Sequence, residues 1–310
     1  MFDKTILFLY VKINYDNEIN GFFPLQKVFK KAYGYNYVEQ EVIIGRQKNN
    51  ENIIEIVKTH KPDYVLLHAY QDQIYMSTLD EINRLGSITL CWNSDDGWRH
   101  EYFKSIADHV HHPITVSESG FEKYKNGGYK VIKSMWATNE DYYFKILVDK
   151  CVIPISFIGQ NYGDRLSLLK QIANGSNTNI ELFGKGFSSY IPLDDIVKIF
   201  NASKINLSFS SSSPPNQHIK QAKGRVFEVP MCGGFLLTEY FPHLEKYYEN
   251  GKEIVWFKTI EEGIEKVNYY LSHEDKRREI AKLGYERAQR DHTWVKRYED
   301  IFRKVEEMHI

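Results

Sequence analysis

One charged segment in the second half of the chain has the residue types and spacing needed to hold an anionic ligand. Lys223 and Arg225 open a predicted short helix, and Glu228 lies three residues after Arg225. Backbone N–H groups at a helix N-terminus favour an anion, and two cations there oppose the helix dipole unless an anion lies between them. A diphosphate fits, and Glu228 could accept the hydroxyls of a ribose. Alternatively, Arg225 and Glu228 form an i,i+3 ion pair on a surface helix.

Glycines stand at several predicted strand ends. Gly159 ends a strand and Arg165 lies in the first turn of the following helix, so backbone could approach a phosphate closely there and Arg165 could reach the same diphosphate. The spacing is not G-x-G-x-x-G, so a dinucleotide site is not supported. Gly184 either borders a nucleobase or forms a plain turn. Gly233 and Gly234 form a corner before a buried strand.

Two adjacent carboxylates, Asp95 and Asp96, follow a predicted buried strand in the first half. They could accept a proton from a hydroxyl or hold a divalent ion, or one of them could cap the next helix. His68 has a similar placement, for which a structural role is favoured. His111 and His112 lack partners at metal-ligand spacing, so no metal site is predicted.

Composition excludes several classes of protein. The 310 residues include 40 basic and 41 acidic side chains, and this balance removes the electrostatic case for a nucleic-acid partner. The three cysteines form no C-x-x-C pair, so neither a zinc ribbon nor a disulfide framework is indicated. Because no run of eighteen apolar residues occurs, we expect a cytoplasmic protein with at most peripheral membrane contact.

Apolar runs alternate with amphipathic stretches along most of the chain, which predicts parallel sheets covered by helices on both faces. We expect strands that include 6–11, 38–44 and 64–69, and helices that include 22–32 and 52–60. The predicted domains are residues 1–140 and 151–290, followed by a C-terminal helix, 291–310, that packs back on the first domain. A serine-rich loop, 208–215, follows a strand, where open α/β sheets bind ligands.

A family resemblance is carried by residues 155–159 with Arg165, by 205–208 and 253–255, and above all by the stretch 223–239 (KGRVFEVPMCGGFLLTE), with support from 92–96, 124–128, 137–139 and 292–293. In these segments the chain resembles the CgeB-like glycosyltransferases of the bacterial spore-protein type. It is more distantly similar to the retaining family-four glycosyltransferases, which have two glutamates eight positions apart. Glu228 takes the second position, but Lys220 stands at the first.

The resemblance implies a GT-B fold, in which two Rossmann-like doubly wound domains face each other across a cleft and C-terminal helices cross back to the first. It implies metal-independent transfer of a sugar from a nucleotide-sugar donor, UDP- or GDP-linked, to an unknown acceptor, without a cofactor. The donor-binding set is then Gly159, Arg165, Gly184, Lys223, Arg225, Glu228, Gly233 and Gly234. Asp95 or Asp96 would orient or deprotonate the acceptor. An epimerase or phosphorylase on the same fold, or a catalytically silent binding protein, are the alternatives.

Overall fold

The computed structural model describes residues 1–12, 18–148, 151–188, 190–213, 216 and 218–309. Contacts divide the chain into two compact units, Met1–Met135 with Trp294–Ile310, and Trp136–Thr293. Each unit is built around a parallel sheet, as the alternating pattern predicts. The end of the predicted serine-rich loop, Pro214 and Pro215, lies outside the described residues. No helix within the described ranges combines the length and apolar character needed to cross a bilayer.

In the first unit the described strands form a sheet in the order β2-β1-β3-β4-β5-β6, and every neighbouring pair is parallel. The strands are β1 (Phe2–Tyr10), β2 (Phe29–Asn36), β3 (Tyr64–His68), β4 (Ile88–Asn93), β5 (His112–Thr115) and β6 (Ile132–Lys133). The helices are α1 (Phe23–Val28), α2 (Tyr37–Ile44), α3 (Arg46–His60), α4 (Met76–Arg84), α5 (His100–Ala107), α6 (Glu118–Asn126) and α12 (Trp294–His309), with a π-helical turn at Glu18–Phe22.

The central strands of this sheet are buried on both faces, which explains their continuous apolar runs. Residues 6–10 of β1 and the first four residues of β3 are all buried. Helix α12 packs onto the same unit, because the ring of Phe302 lies 4.6 Å from that of Phe29 and 5.1 Å from that of Tyr64. The apolar stripe of this charged helix is therefore part of the core of the first unit.

One sequence prediction in this unit is right only in part, and another is wrong. Of the helix expected at 22–32, Phe23–Val28 is helical, but Phe29–Asn36 is an edge strand. Residues 38–44 were expected to be a strand, but Tyr37–Ile44 is a helix. The boundary residue Asn36 supplies the reason: its side-chain oxygen accepts the N–H of Glu39, and its amide donates to the Glu39 carboxylate. This reciprocal N-cap outweighs the β-propensity of the apolar residues that follow.

The second unit has the strand order β11-β10-β9-β7-β8, again with every neighbouring pair parallel. Its described strands are β7 (Ile153–Ile158), β8 (Ile180–Phe183), β9 (Ser203–Ser208), β10 (Leu236–Glu239) and β11 (Val255–Phe257). Its helices are α7 (Arg165–Ser176), α8 (Leu193–Ala202), α9 (Arg225–Met231), α10 (Ile260–Ser272) and α11 (Glu274–Asp291), with a 3-10 turn at Leu244–Lys246.

The strand order of the second unit reverses at β7, which pairs with β8 on one side and with β9 on the other. Successive connections therefore leave the sheet in opposite directions at the carboxyl end of β7. In open α/β sheets this reversal opens a crevice in which ligands bind. The residues that follow β7, β8, β9 and β10 are the ones that this topology brings to a common edge.

Candidate functional site

The loops after β7 and β8 touch through their glycines at this edge of the second unit. The Gly159 N–H donates to the carbonyl of Phe183 at 2.9 Å. Gly184 has a φ of +102°, and a Cβ built there would lie 2.4 Å from the Gly159 carbonyl oxygen. A side chain at position 184 would therefore meet both left-handed backbone strain and a backbone clash. The predicted strand-end glycines thus form one backbone corner at the sheet edge.

The Arg165 side chain forms hydrogen bonds with both the loop after β7 and the loop after β9. Its side chain is 5% exposed, and its guanidinium donates to the Gln160 carbonyl at 3.0 Å and to the Ser211 carbonyl at 3.4 Å. The guanidinium also donates to the Tyr162 hydroxyl and lies 3.8 Å from the centre of that ring. The structure therefore places Arg165 at the predicted edge, where it binds backbone carbonyls of the two loops.

Arg225 and Glu228 form the i,i+3 ion pair considered above, but at a buried position and not on a surface helix. Their side chains are 11% and 6% exposed. The Arg225 Nε donates to the Ile158 carbonyl at 3.2 Å, which ties the start of α9 to the end of β7. Gly224 leaves room for the carboxylate, because a Cβ there would lie 2.6 Å from Glu228 Oε1. The pair thus lies beside the Gly159 corner.

The Gly233-Gly234 corner permits close packing between α9 and the sheet. Gly233 has a φ of +71°, in the left-handed region. A Cβ on Gly234 would lie 2.9 Å both from the Asn206 amide nitrogen and from the Phe200 carbonyl oxygen. The corner therefore positions α9, and with it Arg225, against β9.

Two residues that sequence reasoning did not assign to the site lie at the same edge. Lys220 donates to Glu239 at 2.6 Å and to the Ser211 hydroxyl at 2.7 Å. Glu239 also accepts from the N–H and the hydroxyl of Ser210, at 3.0 and 2.9 Å. A signal was available, because Glu239 ends a buried strand and carboxyl ends of parallel strands face the ligand edge. Its contact with Lys220, however, joins positions 19 residues apart.

In the first unit the structure separates the two predicted catalytic carboxylates by burial. Asp96 is fully buried, and neither of its carboxylate oxygens has a hydrogen-bond partner among the described residues. The side chain lies against α6, since a Cβ on Gly120 would be 2.7 Å from Asp96 Oδ2. Asp95 is partly exposed, and its backbone carbonyl accepts the N–H groups of Trp98 and Arg99. A direct contact between an acceptor and Asp96 has no support in this arrangement.

Burial also sets the ionisation of this region. It raises the pKa of Asp96 to about 7, although the Thr115 hydroxyl and the Lys133 ammonium act in the opposite direction. Burial lowers the pKa of His68 to about 4, against the attraction of Asp95. His68 is therefore neutral at pH 7, as a structural histidine would be. Among the described residues, no three His, Cys, Asp or Glu side chains form a group that could hold a metal ion.

Comparison with known proteins agrees with the fold. Residues 165–303 match the model of a glycosyl transferase-like family. No curated protein matches the chain. Solved structures that resemble it include a glycosyltransferase from Rickettsia africae, with 12% identity over 98% of both chains and a TM-score of 0.66. Sucrose-phosphate synthase from Thermosynechococcus elongatus has 10% identity over 98% of this chain and 100% of that chain, with a TM-score of 0.67.

HepE from Anabaena, solved in complex with UDP and glucose, is similarly related, with 10% identity over 98% of this chain and 100% of that chain and a TM-score of 0.66. The predicted fold, GT-B with two Rossmann-like domains, is confirmed by these similarities and by the two parallel sheets. The predicted enzyme class, a glycosyltransferase, is confirmed by the domain that residues 165–303 match.

Proposed function

We propose that this protein transfers a sugar from a nucleoside-diphosphate-sugar to an acceptor hydroxyl on a glycan, a protein or a small molecule. One observation carries the proposal: Arg165 and Arg225 lie beside the corner formed by Gly159 and Gly184, at the strand-order reversal of the second unit, and most of that unit falls within the glycosyltransferase-like match. HepE was solved with UDP-glucose as well as with UDP and glucose. By extension, a UDP- or GDP-linked donor is proposed here. We also assign the chain to the CgeB-like type, on the resemblance of residues 223–239.

Each part of the site has a proposed role in the sugar-transfer reaction. As the bond between the anomeric carbon and the diphosphate oxygen breaks, the sugar becomes oxocarbenium-like and negative charge grows on the leaving diphosphate. Arg165 and Arg225, which are held beside Gly159 by backbone carbonyls, stabilise that charge together with Lys223, and preorganised charges of this kind are often worth several kcal/mol. Glu228 binds the ribose. Gly159 lets the diphosphate approach the backbone.

The acceptor oxygen forms the new bond to the anomeric carbon and loses its proton. We assign that proton to Asp95, because it is the partly exposed member of the Asp95–Asp96 pair at the carboxyl edge of the first sheet. We further propose that the protein's own cations stabilise the leaving group without a divalent ion and without a cofactor. Transfer should then proceed at an unchanged rate in excess EDTA.

Binding and turnover test this function separately. Thermal-shift measurements with UDP, GDP and TDP and their common sugars should reveal one stabilising series. Transfer of radiolabelled sugar to an acceptor pool should follow with that donor. Incubation with the donor alone tests a second activity, epimerisation of the donor sugar. A putative UDP-N-acetylglucosamine 2-epimerase from Listeria monocytogenes also resembles this chain, with a TM-score of 0.57 and 10% identity over 93% of this chain and 95% of that one. Epimerised sugar in that incubation would favour the epimerase.

Variants at the proposed base sharpen the test. Asp95→Asn should reduce transfer at least tenfold and leave donor affinity unchanged, because the amide cannot accept the proton. The matched control is Asp72→Asn, which alters a carboxylate that is 84% exposed in the same unit. No binding of any nucleoside diphosphate would refute the proposed function. Full activity of Asp95→Asn would refute only the role of Asp95.

A further inference from the structure

Lys220 stands at the carboxyl edge of the second sheet with part of its donor capacity unused. An ammonium group has three N–H donors. Two of them are taken by Glu239 and by the Ser211 hydroxyl, and the residues that the structure describes provide no partner for the third. The side chain is 34% exposed, so the third donor can reach a ligand.

The position of Lys220 is held rigidly by backbone as well as by side chains. Ser211 and Lys220 pair in an antiparallel bridge, and the N–H groups of Ser212 and Gln221 donate to the carbonyls of Ile219 and Ser210. The chain therefore returns across the end of β9 and presents Lys220 beside Ser211, whose carbonyl also accepts from Arg165. These backbone hydrogen bonds hold the Lys220 ammonium beside the loop after β9, to which Arg165 also donates.

Glu239 neutralises part of the charge of Lys220 but has little capacity left for a ligand. Its Oε1 accepts from Lys220, and its Oε2 accepts two hydrogen bonds from Ser210. The carboxylate is 12% exposed. The Lys220–Glu239 pair can therefore donate a hydrogen bond to a ligand but has almost no acceptor left to offer. An oxyanion, which only accepts hydrogen bonds, fits this pair better than a sugar hydroxyl, which also donates one.

We propose that Lys220 binds an oxyanion of the donor, either the distal phosphate of the nucleoside diphosphate or a carboxylate on its sugar. This inference builds on the proposed function and adds a specificity-determining residue to it. Glu239 and Ser211 position the ammonium, and Glu239 limits its net charge. If the oxyanion is the distal phosphate, Lys220 also stabilises the leaving group.

The experiment compares Lys220→Met with the wild-type protein by calorimetry. The titrants are UDP, UMP, GDP and GMP, followed by UDP-glucose and UDP-glucuronate. The control is Lys198→Met, which removes the same charge from a 66% exposed position on α8. Loss of at least tenfold in affinity for the diphosphate, with the monophosphate unaffected, indicates the distal phosphate. An unchanged ratio of diphosphate to monophosphate with a lost preference for UDP-glucuronate over UDP-glucose indicates the carboxylate.

A second variant separates ligand binding from structural support. Glu239→Gln keeps an oxygen that can accept from Ser210 but places an amide NH2 where Lys220 now donates, so the ammonium loses its positioning partner. The ratio that depends on Lys220 should therefore fall by about threefold or more, whereas a purely structural pair would leave both ratios unchanged. If Lys220→Met changes neither ratio, the role of Lys220 is refuted while the proposed function stands. If the wild-type protein binds none of the nucleotides, the proposed function fails and this inference fails with it.

Discussion

Replacement of Asp96 by asparagine should stabilise the first unit at neutral pH, even though it removes a residue that the sequence marks as catalytic. Asp96 is fully buried, and neither oxygen has a hydrogen-bond partner among the described residues. Ionising it there is only partly compensated, by the Thr115 hydroxyl and the Lys133 ammonium. Asparagine has nearly the same shape and no charge, so it fits beside Gly120 without the electrostatic cost.

The size of the effect follows from the pKa of Asp96, which burial raises from 3.8 to about 7. Each pKa unit corresponds to about 1.4 kcal/mol, so above pH 7 the ionised carboxyl costs up to about 4 kcal/mol of folding free energy. The folded protein holds a proton that the unfolded chain releases between pH 3.8 and pH 7. Stability is therefore lost as pH rises through this window, by about 2 kcal/mol between pH 5 and pH 7.

Urea unfolding at pH 5, 6, 7 and 8 measures this difference, with hydrogen exchange of residues 88–93 as a local readout of the first unit. Burial lowers the pKa of His68 and His112 to about 4, so these histidines titrate in the same window with the opposite sign. They are present in both proteins, and subtracting the two curves isolates Asp96. The exposed variant Asp72→Asn should shift stability by no more than about 0.5 kcal/mol at any pH.

Equal or lower stability of Asp96→Asn relative to the wild-type protein at pH 8 would contradict this prediction. That result would mean that the carboxylate is satisfied in the folded state. Transfer activity gives an independent answer about function. A folded Asp96→Asn protein with normal transfer supports a structural position for Asp96, whereas loss of transfer without loss of donor binding would restore it as a catalytic candidate.

Two further predictions concern positions that hold each unit together. Gly184→Ala should destabilise the second unit by at least about 2 kcal/mol, because it combines positive φ with a 2.4 Å approach to a carbonyl oxygen; Gly251→Ala, with φ +73° and open space around it, should cost only about 1 kcal/mol in the same urea assay. Phe302→Ala should lower the free energy of unfolding of the first unit by about 3–5 kcal/mol, because its fully buried ring packs against Phe29 of β2 and Tyr64 of β3. The exposed control Arg303→Ala should be neutral, and equal stabilities of the two variants would contradict the packing of α12 on this unit.

Some elements of the fold could be predicted from the sequence and others could not. The helix predicted at 52–60 forms the second half of α3 (Arg46–His60), because its apolar positions recur at helical spacing. Residues 29–32 and 38–44 were misassigned, because the edge strand β2 lacks a buried apolar pattern and the cap at Asn36 begins a helix within an apolar run. Apolar periodicity predicts an element correctly where one face of that element is buried. It fails where a strand partner or a helix cap determines the backbone conformation.

The alternating α/β order, the two parallel sheets and the choice of segment 223–239 as a candidate site follow from the order of residues along the chain. Which of the charges in and around this segment meet depends on tertiary contacts. Tertiary structure paired Arg225 with Glu228 in a buried position, set Arg165 on the carbonyl of Ser211, and brought Lys220 to Glu239. It also buried Asp96 while leaving Asp95 partly exposed. Burial and long-range contacts control a side chain's charge and reach, and both depend on elements distant in sequence, so residue type and spacing alone could not reveal them.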